Sequence, residues 1–184
     1  MSFETAHIEK FQNLKAALAP ANRDQIRLAA NGGNTILFVY PPKHEKHYNE
    51  EAKRLFPNAT FIDLRQCLIE FIDQVGFDNF KTFYQDYPQQ PEVVFTDSEG
   101  DPKLEGLIID KITSSLENDS IPFLIHTGAL YGTGIENIHI MQHPRVMRFG
   151  TPLVIFYPAV VKTETELSFL GVKPASRYRC KMVI

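Results

Sequence analysis

The chain has 184 residues and 21.0 kDa, 43% of them hydrophobic, with 14 Phe and 7 Tyr but no Trp; this length suits one domain that buries about 70% of its unfolded surface, and the composition excludes disordered and fibrous classes. Nineteen Lys and Arg against 22 Asp and Glu leave a net charge of -3, which gives no global attraction to nucleic acid or anionic lipid. Cys67 and Cys180 stand far apart without a CxxC pair, which argues for reduced, buried thiols, and the absence of a basic-then-apolar leader or a long apolar run predicts a cytoplasmic protein with no membrane contact.

In chain order, Ile8, Phe11, Leu14, Ala17 and Leu18 recur at threes and fours, predicting an amphipathic helix from Phe3 to about Leu18 that Ala19-Pro20 ends. A second helical segment, Asp24 to Ala30, runs into Asn31-Gly32-Gly33-Asn34. The non-alternating apolar run Thr35–Tyr40 predicts a strand covered on both faces, as in a parallel sheet, closed by Pro41-Pro42. Lys46 to Phe56 reads as a charged surface helix, Thr60 to Leu64 as a second strand, and Arg65 to Val75 as a helix with a broad apolar stripe. The stretch from 77 to 101, rich in aromatics, Gln and Pro, predicts an irregular excursion with a short strand at Glu92 to Thr96. A helix from Pro102 to Leu116 follows.

The segment Ile121 to Gly134 is the hub of the pattern. An apolar strand passes into a loop with three glycines, and then into residues 135, 138, 140 and 141 at near-helical spacing. Thr151 to Pro158 predicts another covered strand. At the carboxyl end, Tyr178, Cys180, Met182 and Ile184 alternate with Arg177, Arg179, Lys181 and Val183, predicting an edge strand with the first set buried and outward cations. The order of elements predicts a single α/β domain over residues 1–184 with a mainly parallel sheet.

Ligands of parallel α/β sheets gather at the carboxyl ends of the strands. The glycines Gly128, Gly132 and Gly134 either let backbone amides approach a phosphate or shape a tight strand-to-helix connection. Neither GxxxxGK[ST] nor GxGxxG occurs there, which weighs toward geometry. His126 with Asp63 is a conceivable acid–base pair, but no Ser or Cys stands beside it in a nucleophile context, so the competing reading is a buried histidine with a hydrogen-bond partner. His139 and His143 are four apart but lack the flanking Glu of a metal helix, and His44 and His47 read as solvated. The aromatics at 80, 83, 84 and 87 lack interleaved cations and read as packing or a protein-binding surface. A third idea gathers Arg145, Arg148, Arg177, Arg179 and Lys181 on one face for DNA, as a local contact at most.

The Gly-Ala-Leu-Tyr-Gly loop at 128–132, the strand Leu153-Val154-Ile155-Phe156-Tyr157-Pro158 and the closing Tyr178-Arg179 together resemble the BrxB family of bacteriophage exclusion (BREX) defence systems, with the strands at 36–40 and 62–64 also fitting. Ala129 stands where that family commonly has Ser, and Ala159 where it commonly has Gly. The resemblance implies a three-layer α/β/α fold, reminiscent of P-loop NTPases but without a Walker A motif. It also implies a non-enzymatic adaptor that docks on an alkaline-phosphatase-like PglZ protein, in a system with a DNA methyltransferase and a large ATPase, other components being possible contacts. No catalytic residue, metal ligand or cofactor is assigned. The binding candidates are Tyr40, Asp63, His126, Thr127, Gly128, Tyr131, Gly132, Gly134, Tyr157, Pro158, Tyr178 and Arg179. The alternative is a nucleotide- or phosphate-binding enzyme using the 128–134 loop.

Overall fold

Every residue of Thr35–Tyr40 (β1) is buried, and because successive side chains of a strand leave on opposite faces, this strand serves two cores. Ile36, Phe38 and Tyr40 join Phe123, Ile125, Val154, Phe156 and Val183 in one apolar cluster. Leu37 and Val39 join Leu124, Leu153, Ile155 and Tyr157 in the other. The computed structural model describes residues 3–96, 103–163, 166–175 and 179–184, and among them the chain is a mixed α/β protein with a mostly parallel central sheet.

Thr60–Asp63 (β2), Pro122–Ile125 (β3), Leu153–Val161 (β4) and Lys181–Val183 (β7) complete the parallel part, in the order β2-β3-β4-β1-β7. Leu167–Phe169 (β5) and Lys173–Ala175 (β6) form an antiparallel extension on β4. The predicted strand at 151–158 therefore runs on to Val161. Pro158 has no N–H to give, and the ladder changes partner there: β1 ends opposite it at Tyr40, and the Pro158 carbonyl accepts from Leu170 N at 2.8 Å.

The helices divide between the two cores. Phe3–Leu18 (α1), Arg23–Ala29 (α2) and Glu45–Leu55 (α3) supply Phe11, Leu14, Ile26, Tyr48 and Ala52 to the first. Leu64–Val75 (α4) supplies Leu64, Cys67 and Phe71 to the second, where burial pushes the Cys67 thiol up to about 11.

Residues 77–96 differ from expectation. Phe77–Asp86 is a helix (α5), with Phe80 and Phe83 against the second core and Tyr84 stacked on Phe80. Its aromatics at 77, 80, 83 and 84 hold helical spacing, and the Gln- and Pro-rich residues after it break the pattern. Val93–Thr96 (α6) is a helical turn, not a strand. Val93 N and Val94 N bond back to Gln90 O and Pro91 O, and Val94 and Phe95 are buried, so these β-prone residues are satisfied locally without a strand partner. Residues 97–101 of the predicted excursion lie outside the described residues, as does Pro102.

Leu104–Glu117 (α7) packs on α4, and Lys111 Nζ reaches Glu70 Oε2 at 2.9 Å. Asn137–Met141 (α8) and Pro144–Met147 (α9) then lead to β4. At β7 the predicted period of two fails: Cys180 and Val183 are buried, Met182 is half-buried and Ile184 is exposed, while Tyr178 lies outside the described residues. The strand runs parallel to β1 with a core on each face, so both sets of side chains are in demand. No helix among the described residues is long and apolar enough to cross a membrane.

Candidate functional site

The carboxyl ends of β1, β2 and β3 bring Tyr40, Asp63 and His126 to one end of the sheet. Tyr40 is wholly buried, stacks on Tyr48 at 5.2 Å, and donates its hydroxyl to Glu45 Oε1 at 2.9 Å. Burial, reinforced by Glu45, drives its phenol far above the ordinary range, so it is a core residue with an anchored tip.

Asp63 caps α4 by accepting from Arg65 N at 3.0 Å, and Arg65 binds both carboxylate oxygens through Nε and a terminal nitrogen at 3.1 and 2.8 Å. Burial raises the Asp63 carboxyl, but the Arg65 side chain, the nearby His126 and the Arg65 amide outweigh it, so the group ionises below the usual carboxylate range. Its Oδ1 lies 3.0 Å from His126 Nδ1, off the hydrogen-bonding direction.

His126 ends β3 in the left-handed region, at φ 57 and ψ 41, a conformation that His tolerates better than most residues. That turn aims its ring back between β2 and α3, where Nε2 meets Asn49 Nδ2 at 3.1 Å. The Asn49 amide can donate to Nε2, which leaves Nδ1 facing Asp63. Nε2 is thus committed to Asn49 while Nδ1 lies buried beside Asp63 without a hydrogen bond among the described residues, and the trio brings α3, β2 and β3 together. Asn49, 4% exposed, is the residue that pattern reading missed. The signal was a polar side chain on the buried face that α3 shares with Tyr48 and Ala52.

The glycine loop is likewise occupied with itself. Residues Thr127–Leu130 form a short 3-10 turn, and the Thr127 hydroxyl, fully buried, donates to Phe156 O at 2.7 Å. Ala129 N, Tyr131 N and Thr133 N bond to His126 O, Gly128 O and Leu130 O, and Ile135 N bonds to Thr133 Oγ1. Gly132 and Gly134 have φ of 87 and 75, conformations that exact glycine. At Gly128 an added Cβ would lie 3.3 Å from Leu170 Cδ2, because the β5–β6 hairpin closes over the loop. The histidine pair is also structural: His139 Nδ1 accepts from Glu136 N and His143 Nδ1 from Arg145 N, each at 3.3 Å. His47 is exposed but not simply solvated, since its ring lies 4.3 Å from that of His7. Arg145 and Arg148 pair with Asp110 and Glu117 of α7 at 2.6 and 3.3 Å.

The predicted binding residues thus separate. Tyr131, Gly132, Gly134 and Tyr157 line one pocket of about 430 Å³, with Asn137 and Lys173. Lys173 pairs with Glu136, whose carboxyl it holds below the usual range. Asp63 and His126 belong to the polar knot, while Tyr40 and Thr127 belong to the core. Gly128 and Pro158 meet the hairpin at Leu170. Arg179 is at the opposite, amino-terminal end of the strands, where its carbonyl lies over Gly33, so it does not join the glycine loop. Set against protein families, curated proteins and solved structures, the chain matches none.

Proposed function

We propose that this chain is a non-enzymatic interaction module, a BrxB-like adaptor of a BREX phage-defence complex that docks on the PglZ-like protein. The observation that carries the reading is the run of exposed large apolar side chains between 69 and 87: Ile69 of α4, Phe77 and Tyr84 of α5 and Tyr87 just after it are 51%, 66%, 45% and 40% exposed. Large aromatic groups left in water on a surface are characteristic of protein contacts. The bonding of His126 Nε2 to Asn49, of Asp63 to Arg65, and of the amides of Ala129, Tyr131, Thr133 and Ile135 within the loop supports the same reading over phosphate or nucleotide chemistry at residues 128–134. The two apolar clusters fed by alternate residues of β1 support the three-layer arrangement included in this proposal.

Co-expression with the PglZ-like protein of the same operon tests the reading. A complex that survives purification at micromolar concentration is expected, and replacing Phe77 and Tyr84 by Ala should weaken it tenfold or more. Failure of the unaltered chain to co-purify overturns it. Nucleotide with magnesium should leave thermal stability unchanged, whereas a ligand at a hundred times its dissociation constant adds about 2.7 kcal/mol.

A further inference from the structure

We propose that the pocket between the glycine loop and the β5–β6 hairpin binds a small, flat, uncharged ring that carries an amide edge, an N–H beside a C=O as in a lactam or a primary carboxamide. The site is additional to the exposed apolar groups at residues 69–87 and does not depend on them, since a small molecule needs no partner protein.

The walls set the shape of the occupant. A volume of about 430 Å³ lies in the range of small-molecule sites. Leu130 and Ile135 line the pocket and are buried, Tyr157 and Phe169 line it while stacked on each other at 4.8 Å, and Tyr131, 56% exposed, stands at the mouth. Aromatic walls of this kind hold a flat ring by its faces.

Asn137 sets the polar requirement. It lines the pocket while 7% exposed, and its Oδ1 is buried without a hydrogen-bond partner among the described residues. A buried acceptor left unmade is costly. The terminal torsion of Asn is soft, so the amide can turn its edge toward a ligand. That edge holds an acceptor and a donor side by side, and its complement is a group with the same two functions in the opposite order, which closes two hydrogen bonds at once. A lactam or a primary carboxamide has this arrangement. A trans peptide unit does not, because its N–H and C=O leave on opposite sides, and a carboxylate has no donor.

The charged groups set the charge. Glu136 is paired with Lys173, and Glu92 has an interaction of its own, so an ion entering the pocket would give up hydration without gaining a free counter-charge. The loop amides that would cradle a phosphate are bonded within the loop. The occupant is therefore neutral, and a nucleobase-like ring is admitted where its nucleotide is not.

The probes are two matched pairs, nicotinamide with nicotinate and uracil with 1,3-dimethyluracil, titrated into the full chain at millimolar concentration and followed by ligand-observed NMR. Within each pair the ring is kept and the N–H donor is removed. Nicotinamide and uracil should bind at least tenfold more tightly than their counterparts. Asn137→Leu should abolish that preference, and Tyr131→Ala, a change at an exposed position, should weaken both amides at least threefold. In the unaltered protein the side-chain amide signal of Asn137 should shift with nicotinamide and stay in place with nicotinate, a readout that needs no substitution. Absence of binding by both amides overturns the inference, as does equal binding within either pair or an unmoved Asn137 signal. So does an Asn137→Leu protein of unchanged melting temperature that keeps the preference, unaltered binding in Tyr131→Ala, or N-acetylleucine methylamide, which offers only trans peptide units, binding as tightly as uracil. The probes include no PglZ-like protein, so their failure beside intact co-purification removes this site and leaves the adaptor. Selective amide binding beside failed co-purification does the reverse.

Discussion

Gly33 shows how a single atom sets a long-range contact. A Cβ there would sit 2.0 Å from Arg179 O and 2.9 Å from Arg179 C, and both are backbone, so neither can swing aside. Gly33→Ala should cost about 1–3 kcal/mol in urea unfolding, with faster amide exchange at Lys181–Val183 as β7 lifts from β1. His7 gives a second residue-scale expectation. Its ring is buried against Phe11, His47 and Tyr48, and burial lowers its pKa, with His47 and Lys10 adding to the effect and Glu51 opposing it. A base held neutral in the fold binds its proton more readily when unfolded, so stability is complete above pH 6.5 and declines as pH falls below that ordinary value. Asp63 likewise binds its proton more weakly in the fold than in the unfolded chain, so its slope has the same sign. Its depressed carboxyl adds stability above the ordinary value of 3.8 that is lost as pH falls through the lower folded value. Urea midpoints measured from pH 8 to 3 should fall in these two windows, and His7→Gln should flatten the upper one.

At the scale of elements, the strongest signals in the amino-acid pattern were those made by burial on both faces. Thr35–Tyr40 and Leu153 onward read as covered strands because each alternate residue feeds a different core. The helix α5 was hidden by the polar and proline-rich residues that follow it, though Phe77, Phe80, Phe83 and Tyr84 already held its period. At Val93–Thr96 β-branched composition pointed to a strand, and local turn bonds won because no strand among the described residues pairs with it. The pairing of His126 with Asp63 was legible as two polar residues at strand ends. Asn49 was not, since its role depends on which face α3 turns inward. The antiparallel hairpin also escaped: β5 and β6 are three residues each, too short to show a period. Helix α5 has no fully buried residue, whereas β1 is buried throughout. Hydrogen exchange should therefore be fastest for α5 among the longer helices and slowest for the amides of β1 and its partner stretch in β4.

For the molecule as a whole, the sheet separates two apolar clusters that share strands but not side chains. Phe38 is wholly buried in one and Phe71 almost so in the other. Phe38→Leu and Phe71→Leu should each cost about 1–2 kcal/mol. If the clusters pack independently, the double variant should match the sum within about 0.5 kcal/mol in equilibrium unfolding. A markedly non-additive result would mean that the sheet transmits repacking from one face to the other.

β4 has a consequence of its own. Its first six residues are paired in register with β1, and its last three with β5 in the opposite sense. A slip of one residue along this strand would turn every side chain of the parallel section to the wrong core and, in the same movement, unseat the hairpin from the glycine loop. One strand thus carries two independent checks on its own alignment. An error tolerated by one sheet is rejected by the other, so the mouth of the pocket is formed only when the centre of the molecule is correctly threaded.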